Sequence, residues 1–180
     1  IYLIKTTEAF VAILGASQLT YVLATESQDI ADFIMGCENA LHYFGGAPAA
    51  IVPDNLKSAV IKSSRFEPSI NQNFEAFAEH YGMVVLPARA YKPKDKSLVE
   101  GAVKIAYNRI FTNLQGQKFF SLIALNEAIM RHLENHNKTF FSGRTYSRMD
   151  QFNDMEKQVL QPLPPMRFEM RENVQVTVMK

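Results

Sequence analysis

"EAFVAILGASQLTYVLATES", residues 8–27, decides the fold class. Glu8–Ser17 and Leu19–Ser27 are rich in Val, Ile, Tyr, Phe and Thr, the residues that suit a half-buried pleated surface. Gly15, Ala16, Ser17 and Gln18 lie between them, so the stretch reads as an antiparallel hairpin. Ile1–Ile4 reads as a further strand or as the approach to the first. Beyond Gln28 the period changes. Ile30, Phe33, Ile34, Cys37, Leu41 and Phe44 recur at three and four, the spacing of an amphipathic helix. Gly45-Gly46 and then Pro48 end it.

The alternation continues downstream. "AAIV", residues 49–52, is a short buried strand. Coming after a hairpin and a helix, it is expected to pair parallel to one of the earlier strands. Ile70–Tyr81 reads as a second helix, with Phe74, Phe77 and Ala78 on one face and Gly82 as its stop. Met83–Ala88 reads as a strand, and "RAYKPKDKS" as a polar, basic loop. A long helix is expected from near Leu98 to Asn113, and another over Leu122–Asn137. This order implies a mixed α/β sheet with helices on its faces. Residues 1–137 are expected to form that core, and 138–165 an irregular connector ending in the linker-like "PLPP". The alternating "MRFEMRENVQVTVMK", 166–180, is expected to open a following β-rich region. The chain starts inside an apolar pattern without an initiator Met, so it reads as part of a longer protein.

Composition narrows the function classes. Apolar residues are 47% and charged residues 21% of the 180, an ordinary folded-domain balance. No apolar run is long enough to cross a bilayer, and no signal-peptide pattern opens the chain. Cys37 is the one cysteine, which excludes an internal disulfide framework or a Cys-rich zinc site and fits a reducing cytosol. The net charge of +1 means that any nucleic-acid surface must be a local one. His42, His80, His132 and His136 form no defensible ligand set and read as surface residues. The scattered methionines read as core filler.

Two places carry chemistry. In "IVPDNLKSAV", residues 51–60, Pro53 ends the strand and delivers Asp54 and Asn55 into a loop, with Lys57 behind them. Ligands of open α/β sheets gather at such carboxyl ends of strands. An Asx-turn explains Asp54 and Asn55 equally well, and solvation explains Lys57. The second place is the long helix. At 100° per residue, Val99, Ala102, Val103, Ala106 and Ile110 make an apolar stripe, and Glu100, Lys104, Tyr107 and Phe111 an adjoining one. With the helix starting at Leu98, Glu100 falls in its first turn, where the dipole alone favours a carboxylate. Tyr and Phe beside Glu and Lys suit a nucleic-acid surface better than a solvated face. Lys104 is spaced for an i,i+4 pair with Glu100 or for a phosphate. Arg89, Lys92, Lys94 and Lys96, with Tyr91 among them, precede Glu100 and suit phosphate contacts, or simply a solvated loop. Two carboxylates from a strand end and a neighbouring helix suit Mg²⁺, which takes oxygen ligands.

"YFGGAPAAIVPDNLKSAV" (43–60) and "PARAYKPKDKSLVEGAVKIAYNRIF" (87–111) closely resemble the catalytic core of IstA-type insertion-sequence transposases, in the retroviral-integrase-like DDE superfamily. The resemblance runs from the hairpin to about "PLPP". It implies an RNase H-like fold, a mixed sheet flanked by helices. It implies that Asp54 and Glu100 are the second and third acidic residues of the DDE triad and hold a two-metal Mg²⁺ or Mn²⁺ site. It implies DNA contacts from Asn55, Lys57, Arg89, Lys92, Lys94, Lys96, Lys104 and Tyr107. The implied activity is metal-dependent cleavage of transposon ends and transfer of the 3′-end to target DNA. The implied partners are those DNAs, further copies of the chain on paired ends, and an AAA+ ATPase helper. The implied place is the bacterial cytoplasm, on the nucleoid when bound to DNA, with no membrane partner. One departure stands out: the family's first Asp sits on a strand before the hairpin, and Glu8, Glu26, Asp29 and Asp32 do not occupy that position. The fragment is therefore expected to lack its first strand and first acidic residue and to be inactive alone. The other readings are an RNase H-like nuclease that cuts without joining, and a domesticated, non-catalytic DNA-binding or assembly module.

Overall fold

The computed structural model describes residues 4–53, 60–62, 69–86 and 93–170. The hairpin forms as its composition demands. β1 (Glu8–Ile13) pairs antiparallel with β2 (Thr20–Thr25), Glu8 opposite Thr25 and Ile13 opposite Thr20. The turn falls on the four residues expected, closed by Gln18 N–H donating to the Leu14 carbonyl at 3.1 Å, with Gln18 left-handed at φ 57°. α1 (Ile30–Phe44) follows and ends on Gly45 at φ 75°, whose N–H bonds back to the Leu41 carbonyl.

β3 (Ala50–Ile51) departs from expectation in its partner. It pairs parallel with a later strand, Ala50 opposite Val84 and Ile51 opposite Val85. Between the two run β4 (Val60–Lys62) and β5 (Ser69–Ile70), antiparallel to each other, and α2 (Gln72–His80); β6 is Val84–Val85. The crossover through α2 returns the chain beside β3, as parallel neighbours require.

α3 (Pro93–Ile110) begins five residues before the expected Leu98. Proline is favoured at a helix's first position, because its fixed φ is already helical and the amide it lacks has no partner there. Lys94 and Lys96 therefore belong to the opening turns of a helix, not to a loop. α4 (Leu122–Lys138) is capped by the Ser121 hydroxyl, which accepts from Ala124 N–H at 3.1 Å.

The stretch expected to be irregular carries α5 (Arg148–Gln151), a π turn over Phe152–Glu156 and a 3₁₀ turn over Lys157–Val159. Ser147 and Asp150 form a reciprocal capping box that starts α5. The Glu156 carboxylate accepts from the Ala16 and Ser17 amides and the Ser17 hydroxyl, fastening these turns to the hairpin loop. Beyond them the chain stays docked. Gln161 exchanges two backbone bonds with Ala47, and Arg167 and the Phe168 amide both reach Glu38 on α1. "PLPP" is therefore held against the core. No strand forms over residues 166–170.

Two apolar clusters result. One joins Tyr21, Val22 and Ala24 of β2 to Ala106 and Ile110 of α3, Ile129 and Leu133 of α4, and Phe152. The other joins Ile34, Cys37 and Leu41 of α1 to Phe74, Phe77 and Ala78 of α2 and to Met83. Met83 fills core and Met130 and Met149 pack against the core, whereas Met35, Met155, Met166 and Met170 are exposed. No helix among the described residues is long and apolar enough to cross a membrane.

α4 covers the free edge of β2 with asparagines. Asn126 accepts from the Ala24 N–H at 2.7 Å and donates to its carbonyl at 3.0 Å. Asn137 does the same for Thr20, at 3.1 and 2.8 Å, and also donates to the Tyr43 hydroxyl. His136, expected at the surface, is 1% exposed. It packs where α4 meets Arg148, itself buried with its guanidinium over the Phe141 ring. Burial, with Arg148 and Arg109 nearby, pushes its imidazole down to about 4.

Two outcomes follow for stability. Asn137→Leu leaves both backbone groups of Thr20 unpaired in the core and lowers unfolding stability by about 2–4 kcal/mol, against about 1–2 kcal/mol for Asn126→Ala at its half-buried site. Urea unfolding midpoints measure both. His136 is held neutral when folded, so the unfolded chain takes up its proton first. Stability therefore falls as pH drops from 6.5 towards about 4. His136→Gln flattens that segment of the stability–pH curve.

Candidate active site

The parallel register of β3 and β6 brings two strand ends together. Val84 N–H donates to the Ala49 carbonyl and Leu86 N–H to that of Ile51, both at 2.9 Å. Pro53, two residues past β3, is buried. Asp54 follows it directly in sequence, and β6 leads within eight residues to Pro93 at the head of α3. Asp54, Asn55, Lys57, Arg89 and Lys92 lie outside the described residues.

α3 carries what is described of the site. Ala102, Ala106 and Ile110 are at most 3% exposed and face the hairpin and α4, the stripe expected from the sequence. Glu100 and Lys104 are exposed on the other side. Tyr107 is 57% exposed, its ring 5.0 Å from that of Phe111. Glu100 is the eighth residue of α3, not part of its first turn, so the helix dipole gives no account of it. The ion pairs formed among the described residues are Lys5–Glu26, Glu134–Lys138 and Arg167–Glu38. The i,i+4 spacing of Glu100 and Lys104 is thus not used for a pair, and both charges face outward. Ile105 and Asn108 share this exposed side and were not singled out from the sequence, although the same helical projection contains them.

Three of the four early acidic residues are engaged elsewhere. Glu8 accepts from Gln28, and Asp32 accepts from the amide and hydroxyl of Ser27. Glu26 pairs with Lys5 across an exposed surface. No group of three His, Cys, Asp or Glu gathers in metal-binding geometry among the described residues.

Over 169 residues, 94% of its length, the chain is 46% identical to a putative transposase, y4bL/y4kJ/y4tB, of Sinorhizobium fredii. The chain is a homologue of insertion-sequence transposases. It is 38% identical over 161 residues to the putative transposase for IS408 of Burkholderia multivorans, and 26% identical over 156 residues to the transposase of IS21 from Pseudomonas aeruginosa. It spans about a third of the length of these relatives: 33%, 31% and 40%. No family model matches it. The fold is RNase H-like, that of retroviral integrase catalytic cores. The BIV integrase core superposes with a TM-score of 0.63 at 14% identity, over 84% of this chain and 89% of that one. The HTLV-2 integrase core in complex with magnesium gives 0.58 at 16% identity, over 81% and 93%.

The exposed side of α3 is separate from the core in energy as well as position. Lys104→Ala and Tyr107→Ala each change unfolding stability by no more than about 0.5 kcal/mol, whereas Ile110→Ala, fully buried, costs about 2–5 kcal/mol. Thermal or urea unfolding of the three variants separates the two faces.

Proposed function

We propose that this chain is the catalytic segment of a DDE transposase, which cleaves transposon-end DNA and joins the freed 3′-OH to target DNA. The observation that carries the reading is Glu100. It is exposed on a helix reached directly from β6, away from the helix terminus and outside every described ion pair, in a homologue of transposases.

Asp54 and Glu100 are the metal-holding carboxylates in this reading. Their all-oxygen chemistry fits a hard divalent cation, Mg²⁺ or Mn²⁺, and the outward Glu100 carboxylate is available to one. When bound, a pair of such ions supplies Lewis-acid stabilisation of the attacking and leaving oxygens. The rest falls to the protein. Lys104, one turn beyond Glu100, neutralises a phosphate of the strand lying along α3. The Tyr107 ring offers a face to a sugar or base. Lys94 and Lys96 stand near the start of α3, where the helix dipole disfavours cations; phosphate contacts give them a use there, as they do for Asn55, Lys57, Arg89 and Lys92. The first carboxylate of the triad is proposed to lie in the part of the relatives that this chain does not span, so that the isolated segment is inactive. The catalytic core in this reading extends past residue 137, because Phe152, Leu163 and Phe168 pack into it. The full protein acts in the bacterial cytoplasm as a multimer on paired ends, with an AAA+ ATPase helper.

The test uses the full-length protein, a labelled transposon-end duplex and a second DNA, in Mg²⁺ or Mn²⁺. Wild type nicks the end and joins it. Asp54→Asn and Glu100→Gln lose both steps while still binding the duplex. Cutting without joining assigns the chain to the nucleases. Variants that cut as well as wild type remove Asp54 and Glu100 from the site.

A further inference from the structure

Gly101 follows Glu100 in the body of α3, with eight residues of helix before it and nine after. Glycine inside a helix costs stability relative to alanine, because it gives up more backbone freedom on folding. Two ordinary reasons for glycine are absent here. Its backbone is not left-handed: the positive-φ glycines among the described residues are Gly45, Gly82, Gly116 and Gly143. Nor does a described neighbour crowd it, since among the described residues a Cβ built at Gly101 meets no atom within 4 Å. Gly36 and Gly46 contrast with it: a Cβ there would lie 2.7 Å from Phe10 and from Leu160 respectively. The packing of the described residues therefore leaves Gly101 unexplained.

Its place on the helix offers an account. At 100° per residue, Glu100, Lys104, Asn108, Gly101 and Ile105 fan out in that order over about 140° of the face opposite Ala102 and Ala106. Glu100, Lys104 and Asn108 are exposed, and Ile105 is 41% exposed. Gly101 is a half-buried stretch of backbone without a side chain inside this fan, between an acidic and a basic side chain on one flank and an apolar one on the other.

We propose that Gly101 is a close-approach position for the DNA strand, which passes over the bare turn of α3 so that its sugar–phosphate backbone lies against the helix between Lys104 and Ile105. Any side chain at 101 stands where the strand runs and lifts it away from Glu100. Gly101 is thus a positioning residue, and its role rests on the transposase reading of Glu100 and Lys104.

Gly101→Ala and Gly101→Met both favour helix, so a role in DNA approach and a role in folding give opposite signs. In the full-length protein, the melting temperature rises or holds in both variants. Affinity for a labelled transposon-end duplex falls modestly for Ala and by about tenfold or more for Met, which corresponds to losing one good contact. Strand joining falls in parallel. Glu100→Gln, measured alongside, tells the two failures apart. If Glu100→Gln is inactive but Gly101→Met binds and joins like wild type, Gly101 is only a tolerated surface glycine and the inference is overturned. A melting temperature that drops in both variants overturns it too, since an internal contact then demands glycine. If wild type joins no DNA, or Glu100→Gln remains active, the reading of the site falls and this inference falls with it.

Discussion

The fold depends on how the free edge of β2 is satisfied. A strand edge presents amides and carbonyls that must find partners once covered. Here two side-chain amides on α4 take that role: Asn126 pairs with both backbone groups of Ala24, and Asn137 with both of Thr20. The spacings agree, since eleven residues of helix advance about 16 Å and four residues of strand about 13 Å. Fixed in this way, α4 presents Ile129 and Leu133 to Ala106 and Ile110 of α3. That contact sets the rotation of α3, and with it the outward direction of Glu100, Lys104 and Tyr107. The candidate site is thus held by asparagine–backbone bonds on the far side of the hairpin cluster.

A second constraint acts on the other half. Glu38 on α1 is buried, and its carboxylate accepts from the Tyr81 hydroxyl at 2.6 Å, the Phe168 amide at 2.9 Å and Arg167 at 3.3 Å. A buried carboxylate is tolerable only with such donors around it. The Tyr81 phenol, desolvated and bonded to Glu38, is pushed up to about 12. Phe168 also packs edge-on against Phe77, and Gln161 pairs with Ala47 just before β3. Gly82, just before β6, lies so close to the Gln161 side chain that a Cβ there would meet it at 2.7 Å. Residues 160–168 therefore brace the approaches to both strands of the β3–β6 pair. A chain segment with a linker's composition becomes a structural strap because one glutamate on α1 needs its donors.

These two constraints converge on the strand pair and the helix that carry the proposed chemistry. β3 and β6 are only two residues each. So short a ladder has little stability of its own. Its geometry comes from α1 and α2 behind it and from the strap across its approaches, while α3 is oriented from the opposite cluster. A rigid scaffold with the reactive groups at its rim is what ordered placement of charged side chains on a long substrate requires.

Much of this was legible in the residues. Period-2 and period-3.6 patterns gave the hairpin and α1, α2 and α4 within a few residues, because burial on one face leaves that signature locally. The helical projection placed Glu100 and Lys104 on a stripe adjoining Ala102, Ala106 and Ile110, where the structure exposes them, and the two motif blocks pointed to the transposase relationship. Other features had no local signal. Pro93 read as a loop residue but opens a helix, because a first-turn proline and a loop proline look alike in sequence. β3 found a later partner, because pairing depends on where the crossover helix returns the chain. His136 looked like any polar residue near a helix end but is buried. Nothing in the sequence marks out Asn126, Asn137 or Glu38. The sequence by itself determined which segments bury which faces, since hydrophobic periodicity is a property of neighbours along the chain. Only the tertiary structure decided which polar side chains complete another element's backbone, since those partners lie 102 to 130 residues away.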